Sequence, residues 1–176
     1  MADPADPAAP PSLAAALLAE AVRKGPVGWI DTGSGDPRAV WWLWHDDAVA
    51  LVTGGAEQPD PGLTDGGRVV AIARSKENGA RVVAAGCTVR RVPPEDATWD
   101  DVAAALHAKR LNAPDGDAAL ERWRATSDVW VLTPTGDAAE EPGRMSDGPH
   151  RAEPVPTAAA SRTPQPFALH RTPRRR

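Results

Sequence analysis

Four histidines, one cysteine and 24 acidic residues are the side chains of this 176-residue chain most able to bind a metal or transfer a proton. The histidines stand far apart, and no two have the short spacing that places both imidazoles on one helical face. They are His45, His107, His150 and His170. His45 is followed by Asp46 and Asp47, and this polar group between two apolar runs predicts a turn. We therefore expect no metal site.

A different chemistry is suggested by the run Asp31-Thr32-Gly33-Ser34, which resembles the active-site turn of aspartic proteases. That mechanism needs two aspartates that share one proton, because two adjacent carboxylates cannot both ionise. The chain holds one such run, so a protease would have to be a homodimer that brings two Asp31 side chains together. The alternative, which we favour, is an Asx turn at the end of a strand.

Seven tryptophans and no tyrosine give the chain large flat rings that can bury an interface or stack on a planar ligand. We expect most of them to serve in core and interface packing. Trp41 and Trp44 are the best candidates for contact with a ligand. Both lie in Arg38–Thr53, the stretch around which the predicted fold is organised.

The stretch Arg38–Thr53 predicts two β-strands joined by a turn at His45-Asp46-Asp47. Alternation along the first strand places apolar residues on both of its faces. One face carries Val40, Trp42 and Trp44, and the other carries Trp41, Leu43 and His45. Such a strand should be covered on both sides, so we expect a barrel interior on one side and a helix or second subunit on the other.

The remaining pattern predicts one helix before these strands, a hairpin after them, and then two helices and a last strand. Consecutive strands joined by short connections pair in antiparallel fashion. The predicted fold is therefore mainly β with flanking helices, built on a closed six-stranded antiparallel barrel. The predicted elements are a helix capped by Ser12 and ending at Lys24, strands at Val27–Thr32, Arg68–Lys76, Arg81–Val92 and Asp128–Thr133, a type I′ turn at Asn78-Gly79, and helices after Thr98 and Asp117.

Composition limits the domain count and the class of partner. We expect one domain at residues 12–136, between Pro- and Ala-rich segments at 1–11 and 137–176 that we predict to be disordered. The excess of acids over bases, 24 to 20, argues against nucleic acid as a partner. No apolar run approaches the about 20 residues that span a membrane, and no export signal is visible. The lone Cys87 suits a reducing cytoplasm, where we expect the protein.

Four segments together resemble the pyridoxamine 5′-phosphate oxidase-like, FMN-binding split-barrel superfamily. They are WWLWHDDAVALVTG, the hairpin VVAIARSKENGARVVAAGCTVRRV, the helix that begins at Trp99, and the closing VWVLTP. The resemblance spans roughly Leu13 to Gly136 and rests on the order of elements. It implies a six-stranded split barrel that forms a homodimer with FMN, a deazaflavin coenzyme or sometimes heme at the subunit interface. The implied reaction is hydride transfer to or from a small molecule, in which the cofactor does the chemistry.

The resemblance also implies where the phosphate of such a cofactor would bind. The matching positions are Thr53, Arg74, Ser75 and Lys76, where two cations beside a hydroxyl can form charge-assisted hydrogen bonds. On one strand, Arg74 and Lys76 would point to the same side. The chain departs from the family at Glu57-Gln58-Pro59, where many members carry a Ser-x-Lys-type segment, and an acid there would repel a phosphate. A non-enzymatic dimeric barrel for ligand binding or assembly is therefore the alternative, and no catalytic acid or base is assigned.

Overall fold

The computed structural model describes residues 11–110, 116, 118–140 and 143–145. Most of the two segments predicted to be disordered lies outside these ranges. The described part contains three helices, none of them long and apolar enough to cross a membrane, and seven strands. The elements are α1 (Leu13–Lys24), β1 (Val27–Asp31), β2 (Arg38–Trp41), β3 (Leu43–His45), β4 (Ala48–Thr53), β5 (Arg68–Arg74), β6 (Arg81–Val92), α2 (Trp99–Lys109), α3 (Ala118–Thr126) and β7 (Asp128–Glu140).

All seven strands form one antiparallel sheet in the order β2-β1-β5-β6-β7-β4-β3. The two outermost strands, β2 and β3, are separated in the chain by Trp42 alone. The sheet is therefore curled, because the chain passes from one of its edges to the other at this residue. The predicted architecture of antiparallel strands with flanking helices is confirmed.

The number of strands differs from the predicted six, because the strand expected through Val40–His45 is divided at Trp42. Before the division, Trp41 pairs with β1, and after it Leu43 pairs with β4. At the division itself, the Trp42 backbone N–H donates to the Pro26 carbonyl over 3.1 Å. One predicted strand thus becomes two because it changes its partner.

Two hydrophobic clusters lie on opposite sides of the divided strand. The first joins α1 to the inner side of the sheet and contains Val40 and Trp42, with Trp44 packed against it. The second joins α2 and α3 to the outer side of β4 and β7, with Trp41 and Leu43 packed against it. The prediction that this strand is covered on both faces is confirmed, and helices supply the cover on each side.

The β5–β6 hairpin is paired as predicted, but its turn is longer than expected. Strand β5 ends at Arg74, so Lys76 belongs to the turn and the prediction that it shares a strand face with Arg74 is wrong. The Ser75 N–H donates to the Ala80 carbonyl over 2.8 Å and closes the loop. Within this loop Gly79 alone has a positive φ, 71°, whereas a type I′ turn needs two such residues.

Strand β7 continues to Glu140, past the predicted strand end at Thr133 and the predicted domain end at Gly136. Gly136 has a φ of 90° and lies where the register between β6 and β7 shifts. The Thr135 hydroxyl donates to the Gly86 carbonyl over 3.2 Å beside it. Gly136 therefore produces a bulge instead of ending the strand, and residues 137–140, predicted to be disordered, belong to the sheet.

Candidate functional site

A cleft of about 740 Å³ lies between the C-terminal end of α1, the divided strand β2–β3 and α2. Trp41 and Trp44, the two predicted ligand-stacking residues, both line it, and both rings are half-buried. The cleft is here called the tryptophan cleft. Trp42 also lines the cleft. Its side chain is fully buried, and it stands where the strand divides.

Cations surround the two half-buried rings of the tryptophan cleft. The Arg23 guanidinium lies 5.4 Å from the centre of the Trp44 ring, and the Arg110 guanidinium lies 5.9 Å from that of Trp41. Lys109 lines the same cleft from the exposed end of α2. The cleft therefore offers flat π surfaces next to positive charge, which suits a planar, anionic ligand.

One polar atom in the wall of the cleft has no hydrogen-bond partner among the described residues. It is Nε1 of Trp44, whose N–H is fully buried. A buried donor without an acceptor is destabilising by about 1–3 kcal/mol, so most such groups in proteins are paired.

The segment after β4 supports the tryptophan cleft from behind. The Gln58 side chain accepts from the Trp41 N–H and donates to the Trp41 carbonyl, and so holds the backbone of that residue at both polar groups. The Glu57 carboxylate accepts from Arg110 Nε over 2.9 Å and from Arg122 Nη1 over 3.1 Å. Two arginines therefore offset the charge of Glu57, the acid that we expected to repel a phosphate.

The predicted phosphate residues do not line the tryptophan cleft. Thr53 is fully buried, and its hydroxyl accepts from the Trp130 indole N–H over 2.9 Å. Arg74, Ser75 and Lys76 line a second cavity, of about 510 Å³, between α1 and the β5–β6 turn. The structure thus brings Arg74, Ser75 and Lys76 together but separates them from Thr53. Arg23 lines both cavities and connects them.

The groups around Arg74 show how far this second cavity suits a phosphate. The Arg74 guanidinium lies 4.6 Å from the centre of the Trp29 ring. The Ser75 hydroxyl accepts from the Glu77 N–H over 3.2 Å, within the turn. The lining of the cavity holds four cations and two carboxylates, namely Arg23, Lys24, Arg74, Lys76, Glu20 and Glu77. The cavity therefore keeps an excess of positive charge, which the two carboxylates reduce.

Asp31 forms the Asx turn predicted from the sequence. Its Oδ1 accepts from the Gly33 N–H over 2.8 Å, and the Thr32 and Ser34 hydroxyls are 2.7 Å apart. A shallow cavity of about 400 Å³ lies beside it, lined also by Arg68. These bonds explain the run Asp-Thr-Gly-Ser as strand-ending structure.

Cys87 is buried, as its position in β6 predicted, and burial raises the pKa of its thiol from an ordinary 9.0 to about 12. Below pH 9 the native protein is expected to react with a thiol reagent at least about 100-fold more slowly than the unfolded chain, because the thiolate is the nucleophile. Stability should also fall as the pH rises above 9, since the thiol ionises first in the unfolded state. Stopped-flow labelling with and without denaturant checks the first expectation, and equal rates would contradict it.

His45 ends β3 and begins the predicted polar turn, in which Asp46 and Asp47 have φ values of 41° and 57°. Its Nε2 lies 2.7 Å from Oδ2 of Asp101, in the first turn of α2. No local sequence pattern predicts this contact, because the two residues are 56 positions apart. The strand alternation could have indicated a contact with a helix, because it placed His45 on the face that packs against one.

The tryptophan cleft therefore combines the surfaces of two half-buried tryptophan rings with positive charge, although Trp44 and Arg23 also line a cavity of about 670 Å³ beside the N-terminal half of α1. The tryptophan cleft contains two of the six residues predicted to bind a cofactor, Trp41 and Trp44. A scan of the chain against models of known protein families finds no match, and a search of curated proteins finds no match either.

Proposed function

We propose that this protein is a split-barrel flavoprotein that binds FMN or a deazaflavin coenzyme in the tryptophan cleft and acts as an oxidoreductase on a small molecule. The observation that carries the proposal is the pair of half-buried rings, Trp41 and Trp44, each beside a guanidinium in one cleft of about 740 Å³. Cofactor sites in proteins are commonly clefts of about 300–1,000 Å³ with apolar walls and a few polar groups.

The course of the sheet supports the split-barrel part of the proposal. The two edge strands β2 and β3 are consecutive in the chain, with Trp42 between them. If they are counted as one bent strand, the sheet has six strands and its edges join. Its inner side holds one apolar cluster that α1 covers.

The residues of the cleft fit the chemical groups of a flavin. The isoalloxazine ring is planar and can stack on Trp41 or Trp44. The phosphate can pair with Arg23 and Lys109, which line the cleft. When bound, the cofactor supplies hydride transfer, while these residues hold it and exclude water from its ring.

A homodimer is part of the proposal, and the outer face of β1 and β5 supports it. Trp29 and Ile72 pair across these strands, and both are half-exposed. Val70 is half-exposed in the same strand face, and Val27 is 51% exposed at the start of β1. The alternate residues point into the core, so these four side chains form an apolar stripe on the outer face, bordered by Asp31 opposite Val70 and by Arg74 beside the Trp29 ring. A second copy of the chain can cover this stripe.

The test is a fluorescence titration of the purified protein with FMN and with a deazaflavin coenzyme. The double variant Arg23→Ala, Lys109→Ala should bind at least about tenfold more weakly than the wild type, because it loses charge-assisted bonds of about 1.5–3 kcal/mol each. Lys24→Ala is the matched control, since Lys24 is exposed next to Arg23 but pairs with Glu20 outside the cleft. It should bind as the wild type does.

A second double variant, Arg74→Ala with Lys76→Ala, tests the phosphate position that the family resemblance implies. If the phosphate lies in the tryptophan cleft, this variant should retain the wild-type affinity. A large loss here with no loss in the first double variant would move the phosphate to the second cavity. A wild-type protein that binds neither coenzyme would exclude the oxidoreductase.

The second candidate function is a non-enzymatic dimeric barrel for ligand binding or assembly. Two residues at positions that the family resemblance links to phosphate binding favour this candidate. Thr53 is fully buried and its hydroxyl is already bonded to Trp130, and Glu57, which stands where a base is common, is already paired with two arginines. This candidate predicts a stable dimer that binds no flavin. Sedimentation of the wild type and of Trp29→Glu would show whether the apolar stripe is the dimer interface.

A further inference from the structure

A histidine and two aspartates converge where the β3–β4 turn meets α2. Nε2 of His45 lies 2.7 Å from Oδ2 of Asp101 and 3.7 Å from Oδ2 of Asp46. The ligand atoms of all three residues lie within 4.8 Å of one another. His45 is half-buried, while both aspartates are exposed. The three groups thus form a cluster that solvent can enter.

A hydrogen bond explains only one of the two close approaches. The 2.7 Å separation between His45 and Asp101 is a normal hydrogen bond, but 3.7 Å between His45 and Asp46 is too long for one. Two ligands of one tetrahedral Zn²⁺ lie about 3.4 Å apart, because each is about 2.0–2.2 Å from the metal. These two separations lie on either side of that distance, and the third, between Asp46 and Asp101, is at most 4.8 Å, so side-chain movements of about 1 Å would make all three atoms ligands of one ion.

The surrounding charge favours a cation. Asp47 follows in the same turn and Asp100 precedes Asp101, so four carboxylates lie along these two short segments. Arg124 pairs with Asp100. Among the described residues, Asp46 and Asp101 both pair with His45, which is charged only when protonated. A divalent ion would offset the remaining negative charge when His45 is neutral.

We propose that His45, Asp46 and Asp101 bind a divalent transition-metal ion. Imidazole nitrogen and carboxylate oxygen are both ligand atoms of Zn²⁺, and three protein ligands leave the fourth tetrahedral position open for water. The imidazole favours such metals over Mg²⁺ and Ca²⁺, which prefer oxygen ligands alone. The ion would join the β3–β4 turn to α2. Because His45 also lines the tryptophan cleft, the ion would lie at the edge of that cleft.

The experiment is a calorimetric titration of the full chain with Zn²⁺, supported by visible absorption with Co²⁺. The wild type should bind one ion, and Asp46→Asn and Asp101→Asn should each bind at least about tenfold more weakly, since each loses a charged ligand. Asp47→Asn is the matched control because it removes the same charge from the same turn. Asparagine also tolerates the positive φ at both positions, so neither turn variant is strained.

Equal weakening by Asp46→Asn and Asp47→Asn would overturn the proposal, since it would show attraction by diffuse charge. Failure of the wild type to saturate with one ion would overturn it as well. A thermal melt distinguishes a folded variant that does not bind the ion from a variant that does not fold. Zn²⁺ should raise the melting temperature of the wild type and of Asp47→Asn but not that of Asp46→Asn, since a ligand stabilises only a state that binds it.

Discussion

Replacement of Gly28 by alanine is expected to lower the free energy of unfolding by about 3 kcal/mol, the upper part of the range for overpacked cores. A Cβ at position 28 would lie 1.7 Å from Cζ2 and 2.1 Å from Cη2 of Trp42. That ring is 1% exposed and belongs to the inner cluster, so it has little space into which to move. Urea denaturation followed by tryptophan fluorescence measures the loss.

The matched control is Gly35→Ala. No heavy atom lies within 4 Å of the Cβ that this substitution adds, and Gly35 does not have a positive φ. Its effect should stay within about 0.5 kcal/mol, as for ordinary surface changes. Trp42→Leu removes the clashing ring atoms, so adding Gly28→Ala to Trp42→Leu should cost much less than adding it to the wild type. Equal costs in the two backgrounds would show that the ring does not pack on Gly28.

The features that the sequence predicted correctly depend on neighbouring residues. Alternation placed Trp41 and Trp44 on opposite faces of a strand, because successive side chains along a strand point to opposite faces of the sheet. Ser12 caps α1 as predicted, accepting from the Ala15 N–H over 3.2 Å, because the cap bond spans only three residues. The β5–β6 hairpin likewise pairs segments that are adjacent in the chain.

The features that the sequence did not reveal depend on partners far away in the chain. The strand divides at Trp42 because the residues before it pair with β1 and the residues after it pair with β4. No local pattern specifies this change of partner. The bond of His45 to Asp101 spans 56 positions. Likewise, the placement of Trp41 and Trp44 in one cleft depends on α1 and α2, which are distant from each other in sequence.

Glu57 is the clearest example of a residue whose role depends on partners far away in the chain. Its replacement by alanine is expected to destabilise the protein by about 3 kcal/mol, the lower end of the range for a broken buried ion pair. Its side chain is 4% exposed and also accepts from the Trp123 indole N–H over 2.9 Å. The lower end applies because Arg110 and Arg122 are 28% and 22% exposed and can recover part of their hydration. Urea denaturation measures the effect.

Glu57→Gln separates charge from shape at the same position. The amide oxygen can still accept from Trp123 and from one arginine, so the loss of stability should be smaller than for alanine. Glu20→Ala is the control, because Glu20 pairs with Lys24 on the exposed side of α1 and its removal should leave the unfolding midpoint unchanged. Glu57→Ala should also weaken coenzyme binding, since Arg110 loses the carboxylate that holds it near Trp41. Unchanged stability in Glu57→Ala would mean that the two arginines do not depend on this carboxylate.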